Sequence, residues 1–431
     1  MNRELQERVW AQVDEKALAQ LTADLVDFPS ITGEEKGIAE FLYTHLRALG
    51  LETTLQEFEA ERFNVLATLR GDGSGPSLMF NGHMDISFSG QEDYLPNVPG
   101  YQPKALVEDG WIYGMGSHNM KGALACYVAA VEAVIRAGAA LRGDVLLALV
   151  GGEIERHSVG RYQGRQFRGG GCGTRYLVTN GGTADMPVIG EPTRMRVVPE
   201  HVGSVAVRLT TRGLPAPLRV ADHGMDAVRA MRPLLDVFDD FAAEYSRRHR
   251  YRNLPGTIHL ACIEGGWPWR CNRVPIFCSA YVEVRILPDQ TMQDVRREIQ
   301  ALIARARDKD STFKVEVEFY VTNPGATTDR KSWVSRAVQR AHTAVHGAPP
   351  EVITGAFTSD AIHLTRYGIP TINYGPAGRT RSGKEMWDPL LGEHIAVADL
   401  VTCTKVYAAT ILEVCTRARD EVLGANAGQA A

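Results

Sequence analysis

Three short apolar runs constrain this chain more than any other feature: SLMFNGHMD (77–85), DVLLALVGGE (144–153) and MPVIGEP (186–192). Each reads as a buried strand, and each ends in groups foreign to a core: His83 and Asp85, Glu153 with Glu155 just beyond, and Glu191. Apolar residues three and four apart predict helices over 3–28, 34–49 and 120–137, and LETTLQEFE and FNVLATLRG read as further strands. Such alternation predicts an α/β fold, a mixed sheet covered by helices on both faces. Open sheets of this kind hold ligands beyond the carboxyl ends of their strands, so the three run ends are expected to converge.

Residues 201–321 follow another order. HVGSVAVRLTTRG, GTIHLACIEGG, IFCSAYVEVRILP and FKVEVEFYV read as strands, and two helical segments fall between them, giving βαββαβ, the order of a ferredoxin-like sandwich. The first pattern then resumes with a helix near 330–346, the strand PTINYG and a helix over 397–418. The simplest account is a small domain (199–323) inserted into a larger one (1–198 and 324–431), and 431 residues are also more than one ordinary core accommodates. The segment 156–175, rich in Gly and Arg, reads as a long loop, and the tail GANAGQAA (424–431) is expected to fray.

Charge and cysteine usage exclude several classes. A net charge of −4 without a long basic run argues against nucleic acid as a partner. No apolar run is long enough for a bilayer and the N-terminus has no apolar signal core, so a cytoplasmic protein without a membrane partner is expected. The seven cysteines are odd in number and lack a C-x-x-C pair, which argues against a disulfide framework or a thiolate zinc site. They read as small buried apolar residues, with Cys172, in its glycine-rich loop, the one expected to be exposed.

His83 and Asp85 are two apart on a strand and share a face, which suits a metal ligand oriented by a carboxylate or two groups of one metal site. Glu153 and Glu155 share a face if their strand stays extended. A solvated strand end is the plain reading of any one of these motifs. Together with Glu191 they form a convergent oxygen and imidazole set that suits a divalent ion such as Mn or Zn.

Taken in order, GHMD (82–85), YGMGSHNMKG (113–122), GEIERHSVG (152–160), VIGEPT (188–193), CNRVP (271–275) with VEVRILP (282–288), TSDAIHL (358–364) and INYGPAG (372–378) resemble the motifs of the metal-dependent aminoacylase, acetylornithine deacetylase and dipeptidase superfamily. The resemblance implies a phosphorylase/hydrolase-like catalytic domain, an inserted dimerisation domain and a homodimer or higher homo-oligomer. It also implies two metals bridged by an aspartate, but Asn119 stands at that position. Counted back from Gly160, the family's general base falls on Ile154 and the neighbouring metal ligand on Glu155. The last ligand, a histidine, falls near Pro389, with Asp388 and His394 the nearest donors, and the oxyanion-binding histidine of the dimerisation domain falls on Pro217.

These departures predict an altered site with one Mn or Zn ion held by His83 and Glu191, Asp85 orienting His83 and Asn119 adding a carbonyl oxygen. Glu155 is expected to serve as ligand or general base, with Glu153 as its substitute. Asn272, Arg273 and Arg285 match the family's binders of substrate carboxylate, a structural salt bridge being the competing role for Arg285. Trp267 and Trp269 suit either stacking on an aromatic substrate or a subunit contact. The expected function is hydrolysis of a C–N bond in a small carboxylate-bearing amine or amide. Hydrolytic deamination of 5-nitroanthranilate, known in a branch related to this superfamily, is the named candidate. The alternatives are a conventional two-metal deacetylase or dipeptidase, with His118, His157 or His394 as ligands, and a non-catalytic binding protein on the same fold.

Overall fold

The computed structural model describes residues 2–427; Met1 and residues 428–431, the end of the tail expected to fray, lie outside the described residues. Residues 424–427 of that tail close a helix, Arg419–Ala427. The chain forms two compact units, one of Met1–Pro199, Thr327–Ile353 and Ser359–Ala431, the other of Glu200–Ala326 and Thr354–Thr358. The return of 354–358 to the second unit has no counterpart in the periodicity of the sequence. No described helix is long and apolar enough to cross a membrane.

The sheet of the first unit is built on β1 (Glu52–Glu59), β2 (Arg62–Leu69), β3 (Leu78–His83), β4 (Val145–Val150) and β5 (Met186–Ile189), in the order β1-β2-β4-β3-β5, followed by the short strand Ile372–Asn373. β1 and β2 form an antiparallel hairpin, whereas β3, β4 and β5 run parallel. His83 pairs with Val150, and Asn81 with Ile189. The carboxyl ends of the three apolar runs therefore meet at one edge of the sheet.

Helices Gly122–Arg136 and Val397–Cys415 supply the core rings on one face: Phe80 lies 4.9 Å from Tyr127 and 5.0 Å from Tyr407 between ring centroids. On another part of the sheet, Leu177 of helix Cys172–Thr179 packs with Met79, Ala148 and Val150. The residues before His83 and Glu191 are both glycine, and the packing requires it. A Cβ on Gly82 would lie 2.7 Å from the side chains of Met120 and Leu124, and one on Gly190 would lie 2.4 Å from the Tyr127 hydroxyl. The helix thus rests directly on the strand ends that carry the polar groups.

The helix expected over 3–28 is two, Arg3–Trp10 and Glu15–Val26, because Asp14 accepts from the N–H groups of Lys16 and Ala17 and starts a new helix. The loop 156–175 is shorter than expected, since a helix begins at Cys172. Cys172, expected to be exposed, is half-buried: its thiol donates to Arg168 O at 3.2 Å, and burial pushes it up to about 12. Cys262 and Cys271 are the exposed thiols instead, while Cys126, Cys278, Cys403 and Cys415 are buried.

The second unit carries β6 (Gly203–Arg212), β7 (Thr257–Gly265), β8 (Phe277–Ile286) and β9 (Glu316–Asn323) in the antiparallel order β7-β8-β6-β9, with helices Ala227–Arg248 and Met292–Lys309. This is the ferredoxin-like arrangement that the βαββαβ order predicts. Val205, Val207, Val282 and Val284 meet Phe238, Phe241, Ile299 and Leu302 in its core. Thr291 and Asp294 close a capping box at the start of the second helix.

One ion pair in the first unit is fully enclosed. Arg62 donates to both carboxylate oxygens of Glu35, at 3.0 and 2.6 Å, and both side chains have 0% exposure. Arg62 also donates to Glu59 at 2.9 Å and to Arg168 O at 2.7 Å. Arg62→Met would strand the Glu35 charge and is expected to lower unfolding free energy by about 3–5 kcal/mol in urea titrations. The double change Arg62→Met with Glu35→Leu should cost less than the single one; a single change as mild as the double would refute the enclosed pair.

Candidate metal centre

At the edge where β3, β4 and β5 end, His83, Glu153 and Glu191 each aim one donor atom into a common space, all within 4.8 Å of one another. His83 Nδ1 donates to the Asp85 carbonyl at 2.9 Å, and Nε2, the nitrogen that would ligate an ion, faces Asn119 Oδ1 at 3.1 Å. Glu153 Oε2 lies 3.7 Å from the same nitrogen. Bonds of about 2.0–2.2 Å at tetrahedral angles would put neighbouring ligand atoms about 3.4 Å apart, so this spacing suits donors that share one ion.

The electrostatics point the same way. Burial and the neighbouring carboxylates push Glu191 up to about 7, although His83 opposes them. Glu153 is raised well above the ordinary carboxylate range by burial and then by Glu191, Asp360 and Asp85. Burial disfavours charge on His83, yet Glu191, Asp85 and Asp360 outweigh it and raise the imidazole. A cluster of buried acids that cannot all ionise is the chemistry a divalent cation relieves. His83, Glu191 and the Asn119 carbonyl therefore fit such an ion, with Glu153 at its side.

Asp85 acts differently from the sequence expectation. Its main-chain carbonyl orients His83, while its carboxylate accepts from Glu153 N at 3.0 Å, Ile154 N at 3.2 Å and the Thr32 hydroxyl at 2.7 Å. That clamp decides which glutamate enters the site. β4 stops at Val150 and the chain turns, so the strand alternation that would pair Glu153 with Glu155 does not extend so far. Glu153 faces His83, with a side chain only 11% exposed, whereas Glu155 lies at the surface outside the ligand group.

The remaining expected donors are engaged elsewhere. His394 Nε2 accepts from Arg381 N at 3.0 Å and its Nδ1 donates to Gly392 O at 2.8 Å. Asp388 accepts from Leu390 N at 2.9 Å and Lys384 at 3.1 Å and is held down to about 2, mainly by Ser382 and Leu390. His118 packs edge-on against Trp387, and His157 sits in the 156–170 loop, bridged to Arg168. Asn272, Arg273 and Arg285 lie in the second unit. There Arg273 is bridged to Pro217, and Arg285 pairs with Glu283 at 3.0 Å and Thr358 at 3.4 Å. Trp267 and Trp269 also belong to that unit, their rings 6.4 Å apart, and Trp269 is 76% exposed.

Two site groups were not foreseen as such. Asp360, in the T-S-D stretch, is buried, accepts from Thr174 Oγ1 at 2.6 Å and is pushed up to about 6 by burial. Glu393 accepts three backbone N–H groups on one oxygen, from Gly116 at 2.9 Å, His118 at 3.2 Å and Asn119 at 3.1 Å, and so fixes the loop that presents Asn119.

The profile of peptidase family M20/M25/M40 matches residues 79–413. A succinyl-diaminopimelate desuccinylase of Gluconacetobacter diazotrophicus is 29% identical over 400 residues, covering 90% of this chain and 94% of that protein. Human carnosine dipeptidase 1 superposes with a TM-score of 0.73 at 16% identity, over 95% of this chain and 98% of that one. The YXEP protein of Bacillus subtilis, a dinuclear metal-binding peptidase, gives a TM-score of 0.59 at 13% identity over 92% and 97%.

The geometry predicts metal content residue by residue. After loading with Mn or Zn and desalting, elemental analysis should find about one ion per chain. His83→Ala and Glu191→Ala should abolish it, and Glu155→Gln should leave it intact. Loss of the ion in Glu155→Gln would overturn this ligand set.

Proposed function

The chain belongs to peptidase family M20/M25/M40, a family of metallohydrolases that act on C–N bonds, and from that premise we propose that it hydrolyses the amide bond of a small carboxylate-bearing substrate, with Glu153 as general base beside a single Mn- or Zn-type ion. The observation that carries this reading is the approach of Glu153 to within 3.7 Å of the ligand nitrogen of His83.

The family resemblance gives the first glutamate of a pair the role of base and the second the role of ligand. Since Glu153 is the one that faces the site, the pair corresponds to Glu153 and Ile154, so the base is kept and the ligand beside it is lost. The other ligands of a second ion are replaced as well, by the neutral Asn119 and by Pro389. Asp388 and His394 do not substitute for them, because their donor atoms are committed to their own loop. This pattern favours one ion over the dinuclear centre of the Bacillus subtilis relative.

A divalent ion in this place supplies Lewis acidity toward the substrate carbonyl. Glu153 takes a proton from the attacking water and returns it to the departing nitrogen, work suited to a carboxylate raised above its ordinary range. Asp85 holds Glu153 for that task through the clamp on its backbone N–H. Thr174 and Asp360 back the cluster from the side of helix Cys172–Thr179. Amide cleavage is preferred to deamination of 5-nitroanthranilate because the curated relative that covers 90% of this chain is named for removing a succinyl group. Assembly as a homodimer through the second unit belongs to the same proposal.

Glu153→Gln should lower kcat on N-acyl amino acids by about 10²–10⁴-fold while keeping the bound ion. Glu155→Gln should stay close to the parent. Equal turnover in parent and Glu153→Gln would sink the assignment, and release of ammonia from 5-nitroanthranilate without cleavage of any amide would favour the deaminase.

A further inference from the structure

Next to the centre, and within the first unit, a cavity of about 320 Å³ reaches Asn119. Its walls include Phe88, Tyr101, His118, Met386 and Trp387. The Trp387 ring stands edge-to-face against His118, 5.9 Å away at 81°, and against Tyr101, 6.1 Å away at 71°. The Tyr101 hydroxyl donates to Pro389 O at 3.2 Å and so ties down the segment that carries Trp387. Three of these rings, Tyr101, His118 and Trp387, pack on one another, and the same lining includes Asn119, a proposed ligand of the ion.

The charge of the lining excludes one class of occupant. Among the described residues no lysine or arginine lines the cavity, and the one carboxylate there, Glu393, already gives an oxygen to three backbone N–H groups. A succinyl carboxylate placed here would lose its water without gaining a cationic partner. An uncharged ring loses little on leaving water and can present its edge or face to Trp387, Tyr101 and Phe88. An apolar cavity of about 150 Å³ already holds benzene, so this space accepts a substituted ring.

We propose that this cavity is the specificity pocket of the centre and takes an uncharged aromatic ring carried on one of the two groups joined by the scissile C–N bond. The proposal rests on the amide-hydrolase reading above. It also separates this chain from its desuccinylase relative, whose named substrate carries a charged succinyl group.

The test uses the full chain loaded with Zn, and two probes followed by calorimetry: benzamide, neutral and aromatic, and succinamate, anionic and without a ring. Benzamide should bind, and Trp387→Ala and Phe88→Leu should each weaken it, the former by about tenfold, with melting temperatures unchanged. Succinamate binding as tightly as benzamide, or benzamide binding that neither change affects, would overturn the pocket. In kinetics, N-benzoylglycine or N-acetylphenylalanine should exceed N-succinylglycine in kcat/KM by about tenfold or more, and Trp387→Ala should shrink that ratio. Cleavage of all three at equal rates keeps the hydrolase and removes the pocket. Benzamide binding that depends on Trp387, with no amide cleaved, keeps the pocket and removes the hydrolase.

Discussion

Mutual repulsion of buried acids is the constraint around which the first unit is arranged. Asp85, Glu191 and Asp360 are almost wholly buried, and Glu153 nearly so, around the imidazole of His83, with the buried His363 3.9 Å from Asp360. Two like charges about 5 Å apart at an effective dielectric of about 20 repel by about 3 kcal/mol, and several such pairs cannot stand together without compensation. Part of it comes from hydrogen bonds: two backbone N–H groups and a hydroxyl on Asp85, a hydroxyl on Asp360. The rest is what the proposed cation provides. Arg62 and Glu35 settle a similar problem nearby by pairing with each other, and Glu35 lies close enough to Asp85 to feel its charge.

The same need explains how the elements are fitted. Strands that are apolar along their length and polar only at their ends can be covered by a helix laid across those ends, provided the residues just before the ligands have no side chain. Gly82 and Gly190 meet that condition, so helix Gly122–Arg136 can begin immediately after the loop of Asn119. Glu393 anchors that loop from the far end of the chain through three N–H groups, with the buried Lys121, brought down to about 7 by burial, close by. The loop that presents Asn119 is therefore held through its own main chain.

Much of this was legible in the sequence. The apolar runs located the buried strands, the βαββαβ order located the second unit, and the motif order led to His83, Asn119 and Glu191. The glutamate register is not legible there, because strand alternation ends at Val150, beyond which Asp85, distant in sequence, imposes a turn. Asp360 was hidden for a related reason: only the fold brings its carboxylate toward His83. Asp388 and His394 have the chemistry of ligands, and only their hydrogen bonds within 381–394 show that they are structural. A glycine-rich segment suggests exposure for Cys172, whereas its loop folds back so that Arg168 O accepts from the thiol.

The tie between Glu393 and the 116–119 loop bears on how the protein is made. The first unit is interrupted by more than a hundred residues that belong to the second, and the helix Val397–Cys415 that packs on Phe80 comes after both. A nascent chain on the ribosome thus exposes His83 and Glu191 long before the residue that fixes Asn119 has been synthesised. The second unit, by contrast, has its four strands and two helices in one uninterrupted stretch. Translation therefore delivers the ferredoxin-like unit as a nearly finished body, while the candidate metal centre waits for Glu393 to follow it.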